Sequence, residues 1–469
     1  MLADLSYSFW QYLQLPLDGD LTAIAWPSEV YTPVLHDPFG LRALLHHASY
    51  AAPNRFFAHF FLYTYFRHVP LWLQPWLAPL DSVYMACALL KISIHALLVY
   101  VLAVAISNRR RVLSPPFLLA AVLVTPLLQT SGFSGQMGVI DWSITYAIFY
   151  ALPSALLLLF LLPFLREALH QQPARLSGLS YAGLLGLVVW LSLNGPVVPA
   201  VVLLVVPALL VASWQQRFRQ QPASEAWQVR AARALGQQPW PRLLLFVVFG
   251  LGCLYSLYIG QFNLENTWTD MPLAQRYALL PMGVFSQLTG KLGLPLLLLL
   301  LLLNAWLVRR QPPTTRRAAV LSALNWLALL AGLYLLLLPL GGYRSYREDL
   351  LRRDSILPII IGMIGCFALS SYYLLTQLAA PAWRRYAAGL AVFLGIFTIA
   401  DKPRFRDYNA CERQLFGILA QSPAPIVRLP ATCTMMDWQP LTDYQKSEVN
   451  GQMLYYWGII QRPKRYYQQ

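Results

Sequence analysis

Long apolar stretches follow one another along most of the chain, separated by polar connections. They lie at 83–106, 115–129, 144–165, 178–193, 196–213, 243–261, 293–308, 318–339, 356–378 and 386–400. A helix crosses a bilayer with ~20 apolar residues, and Leu-rich runs such as 294–303 lack the alternation that barrel strands show. The pattern predicts an all-α polytopic membrane protein with ten transmembrane helices, or eleven if the N-terminus contributes one.

The composition agrees with this pattern. Of the 469 residues, 57% are hydrophobic and 12% are charged, whereas soluble domains are about half apolar and a quarter charged. This excludes an ordinary soluble enzyme, a disordered chain and a disulfide scaffold. The net charge of +15 would suggest nucleic acid in a soluble protein. Because membrane proteins carry Lys and Arg in cytoplasmic loops, we expect no nucleic-acid partner.

The charges divide the connections into two alternating sets. The connections after residues 106, 165, 213, 308 and 378 hold sixteen arginines and only two acids, Glu167 and Glu225. This asymmetry predicts that they are cytoplasmic. The acid-bearing segments are then on the outer face, at 18–82, 130–143, 262–292, 340–355 and 401–469. We therefore expect a multi-pass protein of the cytoplasmic (inner) membrane with its C-terminal tail on the outer, periplasmic face.

Three regions follow from this layout. Residues 1–82 form an N-terminal segment and a first outer loop with interfacial helices, 83–400 the transmembrane bundle, and 401–469 a small outer C-terminal region. Residues 1–17 are too short to span and lack the features of a signal peptide. They are read either as the end of a first helix whose beginning is missing or as an interfacial helix.

The first outer segment is the densest in polar groups. Asp18-Gly19-Asp20 places two carboxylates close enough to repel, so that one could stay protonated, bridge a metal or act as a general base. The alternative is a helix-ending turn with solvated acids. His36-Asp37 supplies a second acid, Asp37. Five histidines between 36 and 68 leave a divalent metal open as a cofactor, although an aromatic interfacial helix explains most of them.

Two further outer loops offer binding groups. The loop 341–354 carries Tyr343, Arg344, Arg347 and Arg352, and arginine forks match phosphate oxygens. Its own acids Glu348, Asp349 and Asp354 could instead neutralise it. The loop before residue 277 carries a tryptophan and several hydrogen-bonding side chains, as a sugar site would. Tryptophans are, however, common at membrane interfaces without binding a sugar. The predicted substrate-binding residues are His36, Arg55, Glu265, Trp268 and Arg276.

The C-terminal region carries Cys411 and Cys433, which we expect to form a disulfide on an outer face. The region has no Ser-His-Asp or Cys-His array and is interpreted as a lid or scaffold. The cytoplasmic loops lack a phosphate-cradling glycine loop. The energy for any reaction would therefore come from an activated substrate or a gradient.

This layout resembles the GT-C superfamily of membrane glycosyltransferases, at the residue level through Asp18–Asp20 and His36-Asp37. The resemblance implies a polyprenyl-phosphate-linked sugar as donor, an unidentified acceptor, and Asp18 or Asp20 as catalytic acid with Asp37 as the second. The arginine loop would grip the lipid phosphate. The chain departs from the family in its incomplete first helix and in the glycine between its acids. It also resembles bacterial membrane proteins of no assigned activity with the signatures seen at Asp18–Asp20, Pro53–Phe56 and Gly341–Arg344.

Two alternatives remain open. A lipid or glycolipid transporter or flippase would carry ionisable groups at mid-membrane depth, and Lys91 and His95, one turn apart in the 83–106 stretch, form such a pair. A non-catalytic membrane scaffold would need none of the acids. Membrane lipids are expected partners under each interpretation.

Overall fold

The computed structural model describes residues 1–130, 132–173, 176–222, 224–266, 271–341, 349–401 and 407–469. Within these ranges the chain is almost entirely helical. A small parallel sheet near the C-terminus pairs β1 (Ile426–Leu429) with β2 (Arg465–Gln468). The predicted class, an all-α polytopic membrane protein, is confirmed.

The helices come in three groups along the chain. Those of the first 82 residues, together with the first long span, are α1 (Leu2–Leu13), α2 (Leu21–Ala25), α3 (Thr32–Leu35), α4 (Leu41–His46), α5 (Phe56–Leu73) and α6 (Pro79–Ser107). Then follow α7 (Pro115–Val124), α8 (Ile144–Tyr146), α9 (Leu152–His170), α10 (Gly178–Ser192), α11 (Val197–Gln220), α12 (Trp227–Gly236) and α13 (Trp240–Gly260). The last are α14 (Leu273–Thr289), α15 (Gly293–Arg309), α16 (Thr315–Leu337), α17 (Leu357–Gln377), α18 (Ala380–Ala400), α19 (Ala410–Gln421) and α20 (Glu448–Tyr456).

Each of the ten predicted apolar stretches contains a helix. In the described parts of the chain, six helices are long and apolar enough to cross a membrane individually: α6, the continuous helix Ile144–His170, α11, α13, Thr315–Gly341 and α17. A seventh span results if α14 and α15, bent by 85° at their junction, are taken together. The stretches at 115–129, 178–193 and 386–400 fold as helices outside this set.

The helix boundaries follow local chemistry. Proline occupies the first turn of α6 and α7, where a missing N–H costs nothing. Asn108 ends α6 in the left-handed conformation, with φ 57°. The side chain of Ser143 accepts a hydrogen bond from the N–H of Tyr146 and thereby caps α8.

The two largest apolar cores of the described residues hold the bundle together. The larger one surrounds α6, against which α1, α5, α7, α9 and α17 pack. The smaller one is formed by α9, α10, α11 and α13 around aromatic pairs such as Phe160–Phe249, whose ring centroids are 4.8 Å apart. Edge-to-face pairs of this kind add about 0.5–1.5 kcal/mol to the burial of their area.

The two sets of connections lie at opposite ends of α6. At one end the acid-bearing segments contact each other: Asp18 accepts from Ser143, Asp141 pairs with Arg353, and Arg413 pairs with Asp81. At the other end the arginine-rich connections do the same. Asn108 bonds both Arg166 and Gln172, and Arg242 pairs with Glu167. The charge asymmetry therefore groups the segments correctly by end.

Helix α1 turns its polar side chains inward. Ser8 and Gln11 are fully buried against the bundle, whereas Leu2 is 74% exposed and Trp10 38% exposed. A soluble helix would bury the opposite face. This inverted pattern is expected where the surrounding medium is lipid, and at 12 residues α1 is too short to cross it alone.

Candidate functional site

Asp18 is buried and holds two segments together. Its Oδ1 accepts hydrogen bonds from the N–H groups of Asp20 and Leu21, both at 3.1 Å, and from Thr145 Oγ1 at 2.8 Å. Its Oδ2 accepts from Ser143 Oγ at 2.8 Å and from the Thr145 N–H at 3.0 Å. Five donors therefore surround a carboxylate that has about four lone-pair sites. In this geometry Asp18 organises the starts of α2 and α8.

The close packing around Asp18 explains Gly19. A Cβ atom at Gly19 would lie 2.8 Å from the Trp438 side chain and 2.9 Å from the backbone of Asp437. Real Cβ contacts are longer, so only glycine lets the C-terminal region approach the acidic turn this closely. The glycine between the two acids is thus a contact point for the tail.

Asp20 lies at the edge of this turn and is only partly buried. The indole N–H of Trp438 donates to its Oδ1 at 3.3 Å. The Trp438 ring also stacks on Tyr146, with centroids 5.4 Å apart and planes inclined by 29°. A carboxylate beside a stacked aromatic surface is an arrangement that suits a hydroxyl-bearing ring such as a sugar.

Behind Asp18 lies a second acid, Asp141. It forms an ion pair with Arg353 and accepts a hydrogen bond from the Ser143 N–H at 2.9 Å. Burial raises the pKa of the Asp141 carboxyl, and the charge of Arg353 counteracts part of that rise. Nearby, the ammonium of Lys91 donates to the carbonyl of Trp142.

A third buried acid, Glu412, comes from the C-terminal region. Its Oε2 accepts from the Leu17 N–H at 3.0 Å and from Tyr84 Oη at 2.7 Å, and its Oε1 from the Met436 N–H at 3.3 Å. Burial raises the pKa of Glu412 to about 7, although these bonds favour the ionised form. The tail is therefore anchored directly against the acidic turn.

Asp37 belongs to a different part of the first outer segment. Its carboxylate accepts from the N–H groups of Leu41 and Arg42, at 2.8 and 2.9 Å, and from Tyr50 Oη at 2.7 Å. Burial and this bond to Asp37 raise the pKa of Tyr50. Asp37 thus caps α4, and the described part of the chain shows no hydrogen bond between it and Asp18 or Asp20.

The same outer segment contributes a cationic group, Arg55, near Tyr31. Tyr31 donates to Glu265 Oε1 at 3.2 Å, and burial together with the charges of Glu265 and Asp20 raises its pKa. The charge of Arg55 acts on Tyr31 in the opposite direction. The Arg55 guanidinium lies over the Phe149 ring, 4.9 Å from its centroid. No hydrogen bond or ion pair joins that guanidinium to any residue that the structure describes.

His59 completes this group, which we call the Arg55 cluster (Tyr31, Arg55, His59, Phe149, Glu265). Its ring lies 5.3 Å from Tyr31 and 5.0 Å from Phe149. Burial lowers the pKa of His59 to about 4, so that the imidazole is neutral at physiological pH. Its Nε2 is buried and has no partner in the described parts of the chain. Unpaired polar atoms of this kind point to a polar ligand or water.

The remaining predicted residues are dispersed. His36 is exposed at the end of α3. Arg276 donates to the carbonyls of Met271 and Pro339, at 2.9 and 3.2 Å. Arg352 pairs with Asp354 at 3.1 Å, so this arginine is neutralised within its own loop, as the alternative interpretation had it. Tyr343, Arg344, Arg347 and Trp268 lie outside the described residues.

The divalent metal that the sequence left open has no ligand set among the residues that the structure describes. Across the described ranges, no group of three or more His, Cys, Asp or Glu side chains is placed to hold a metal ion. The histidines of the first outer segment have separate environments: His59 is buried, whereas His36, His46, His47 and His68 are exposed. Because the side chains present do not fit a metal, we derive no step through one.

The sequence did not single out Ser143, Thr145, Asp141, Arg353 or Glu412. One signal was present, because Asp141 and Ser143 directly precede an apolar run, which is typical of a helix N-terminus. Their pairing with Asp18 and Arg353 spans 125 and 212 positions. Nothing in a single sequence encodes contacts of such long range.

The chain matches no family model, no curated protein and no solved structure. Its function must therefore be inferred from the residues described above.

Proposed function

We propose that this chain is a membrane glycosyltransferase that moves a sugar from a polyprenyl-phosphate donor to an acceptor on the outer face of the cytoplasmic membrane. One observation carries the proposal. The Asp20 carboxylate borders the Trp438–Tyr146 stack, and the Arg55 guanidinium, in the same first outer segment, lies over the Phe149 ring at the end of the bundle where the acid-bearing segments meet. A base and a phosphate-binding cation are the two groups that such a transfer needs.

Asp20 is the better placed of the two acids to accept the acceptor proton. The Asp18 carboxylate is saturated with donors, whereas Asp20 is only partly buried and borders the Trp438–Tyr146 stack. A correctly placed carboxylate contributes typically ~10²–10⁴-fold to a rate. Asp18 then acts as a positioning residue that fixes the turn carrying Asp20.

Arg55 is proposed to stabilise the phosphate as it leaves. Its guanidinium lies over an aromatic ring and is half-buried, which reduces solvent screening of its charge. Arg344 and Arg347 remain sequence-based candidates for the same task. A polyprenyl-phosphate sugar carries its own activation, in agreement with the lack of a nucleotide-binding motif in the sequence.

The proposed orientation puts the acidic end and the C-terminal tail on the periplasmic side. The sixteen arginines in the other set of connections support it through the positive-inside rule. The disulfide between Cys411 and Cys433 also supports it, because such bonds persist in oxidising compartments.

The test is sugar transfer in proteoliposomes that contain a synthetic polyprenyl-phosphate sugar and extracted envelope acceptors. Asp20→Asn should reduce turnover by at least about 100-fold while lipid binding persists. Arg55→Gln should weaken lipid binding as well. The matched controls are the exposed residues Glu29 and Arg42 of the same segment, as Glu29→Gln and Arg42→Gln. Parental rates in both site variants would refute the proposal.

A transporter is the second candidate, favoured by buried polar groups between α1 and α6. Lys91 and His95 are fully buried, and His95 Nδ1 lies 3.3 Å from Tyr12 Oη. His95 Nε2, Ser8 Oγ and Asp4 Oδ2 are buried without a partner in the described residues. Such a set suits a hydrated path for protons or polar groups. Translocation of a labelled glycolipid that persists in Asp20→Asn but stops in His95→Leu would favour this function.

A further inference from the structure

A large apolar cavity separates the two cores of the bundle. Its volume is about 640 Å³, within the range of ligand pockets. Leu157, Leu161 and Val198, from the smaller core, line one wall. Ile361 and Leu369, from the larger core, line the other. The cavity, which we call the seam groove, is therefore a gap between two packed units.

The seam groove is long and runs along the helices. Along α9 and the residue that follows it, the lining extends from Ser154 to Gln171, and that distance is about 25 Å at 1.5 Å per residue. The hydrocarbon core of a bilayer is about 30 Å thick. An elongated apolar molecule fits such a shape better than a compact one.

The two ends of the seam groove differ in chemistry. Towards the arginine-rich end it is lined by Gln215, Gln216 and Arg219 of α11, and by the Glu167–Arg242 ion pair. That pair neutralises Arg242, but Arg219 is exposed and has no ion pair with any described residue. At the opposite end the hydroxyl of Tyr334 is already engaged with the carbonyl of Ser355, at 2.8 Å. An anionic group would therefore settle at the Arg219 end.

We propose that the seam groove binds an anionic phospholipid, with one acyl chain between α11 and α16 and the phosphate at Arg219. The groove is accessible at this end, because Ser322 and Gln215 line it and are exposed. An empty apolar gap of this size would forfeit dispersion contacts on both walls, and a hydrocarbon chain restores them. Arg219 lies at the end of the bundle opposite Asp20, and this proposal does not depend on sugar transfer.

The experiment uses the full chain in nanodiscs of phosphatidylcholine and phosphatidylglycerol, with a diazirine on the phosphatidylglycerol acyl chain. We expect cross-links on the lining residues of α11 and α16. Ala331 lines the groove and Ala328, on the same helix, faces outward. Ala331→Trp should remove most of the groove cross-links, whereas Ala328→Trp, the matched control, should leave them unchanged.

The headgroup is tested by competition between the two lipids. Arg219→Gln should reduce the preference for phosphatidylglycerol by about five-fold, whereas Arg109→Gln, at an exposed arginine of the same end, should not. Monodisperse elution of each variant controls for folding. Cross-links that persist in Ala331→Trp, or that lie only on outward-facing positions, would overturn the proposal. A second protein that co-purifies with the chain and blocks cross-linking of the groove with one of its helices would also overturn the proposal.

Discussion

At the scale of single residues, two acids two positions apart have different environments. Asp18 is surrounded by donors from two segments, whereas Asp20 faces the edge of the turn under Trp438. The sequence could show that the pair exists but could not assign the roles, because the partners Ser143 and Thr145 come from a distant loop. Their different burial and hydrogen bonding in the structure distinguish the roles of the two acids.

Asp18→Asn should therefore destabilise the protein more than Asp20→Asn. An asparagine presents one N–H₂ group to the donors around residue 18 and leaves at least one of them buried and unpaired, at a cost on the order of 3 kcal/mol. Thermal unfolding in detergent measures the difference. Equal melting temperatures for the two variants would contradict the positioning role of Asp18.

Glu412 predicts a pH dependence of stability. Its pKa is about 7 in the folded state, against 4.5 in the unfolded chain. The folded state thus binds the proton more tightly. The stabilisation from this group is complete below pH 4.5 and is lost as pH rises through about 7. It amounts to on the order of 3 kcal/mol. Glu412→Gln should flatten the melting temperature between pH 5 and pH 8, and an unchanged slope would contradict the assignment.

At the scale of elements, the sequence predicted a helix in each apolar stretch, but it missed α14, which lies in the segment 262–292 assigned to an outer loop, and it missed the local chemistry that joins the helices. Apolar runs must form helices in a membrane because each backbone group has to be satisfied within the segment. The contacts of the Arg55 cluster were not predictable, since Glu265 and Tyr31 are 234 positions apart. The predicted Cys411–Cys433 pairing is confirmed, with Cα atoms 6.3 Å apart.

This disulfide should stabilise the C-terminal region. It closes a separation of 22 residues, which is worth about 3 kcal/mol in the chain-entropy model. Cys411→Ser should therefore increase proteolysis of 407–469 under non-reducing conditions. Cys366→Ser, at a free thiol in α17, is the control. Equal protection in the two variants would mean that the bond does not hold the tail.

At the scale of the whole molecule, the alternation of arginine-rich and acid-bearing connections assigned the segments to two ends. The positive-inside rule then predicts the direction in which the molecule crosses the membrane. The packing around α6 determines which acids at one end come together. That packing cannot be read from a single sequence.

The orientation can be measured with single cysteines. Ser422→Cys should react with an impermeant reagent in intact cells whose outer membrane is permeabilised, and Ser114→Cys should react only after the inner membrane is lysed. Ser114 lies between α6 and α7, at the arginine-rich end, and Ser422 in the tail. The reverse pattern would place the acidic end in the cytoplasm and remove the basis for transfer on the outer face.

The most direct test of the central claim is an experimental structure of the protein with a polyprenyl phosphate bound. We predict density for the phosphate within hydrogen-bonding distance of the Arg55 guanidinium, and for the first isoprene units beside the acid-bearing end of the bundle. The Asp20 carboxylate should face the position that a transferred sugar would occupy. No polyprenyl phosphate at Arg55, with the added lipid bound instead only at the arginine-rich end or between α1 and α6 beside Lys91 and His95, would contradict the glycosyltransferase account.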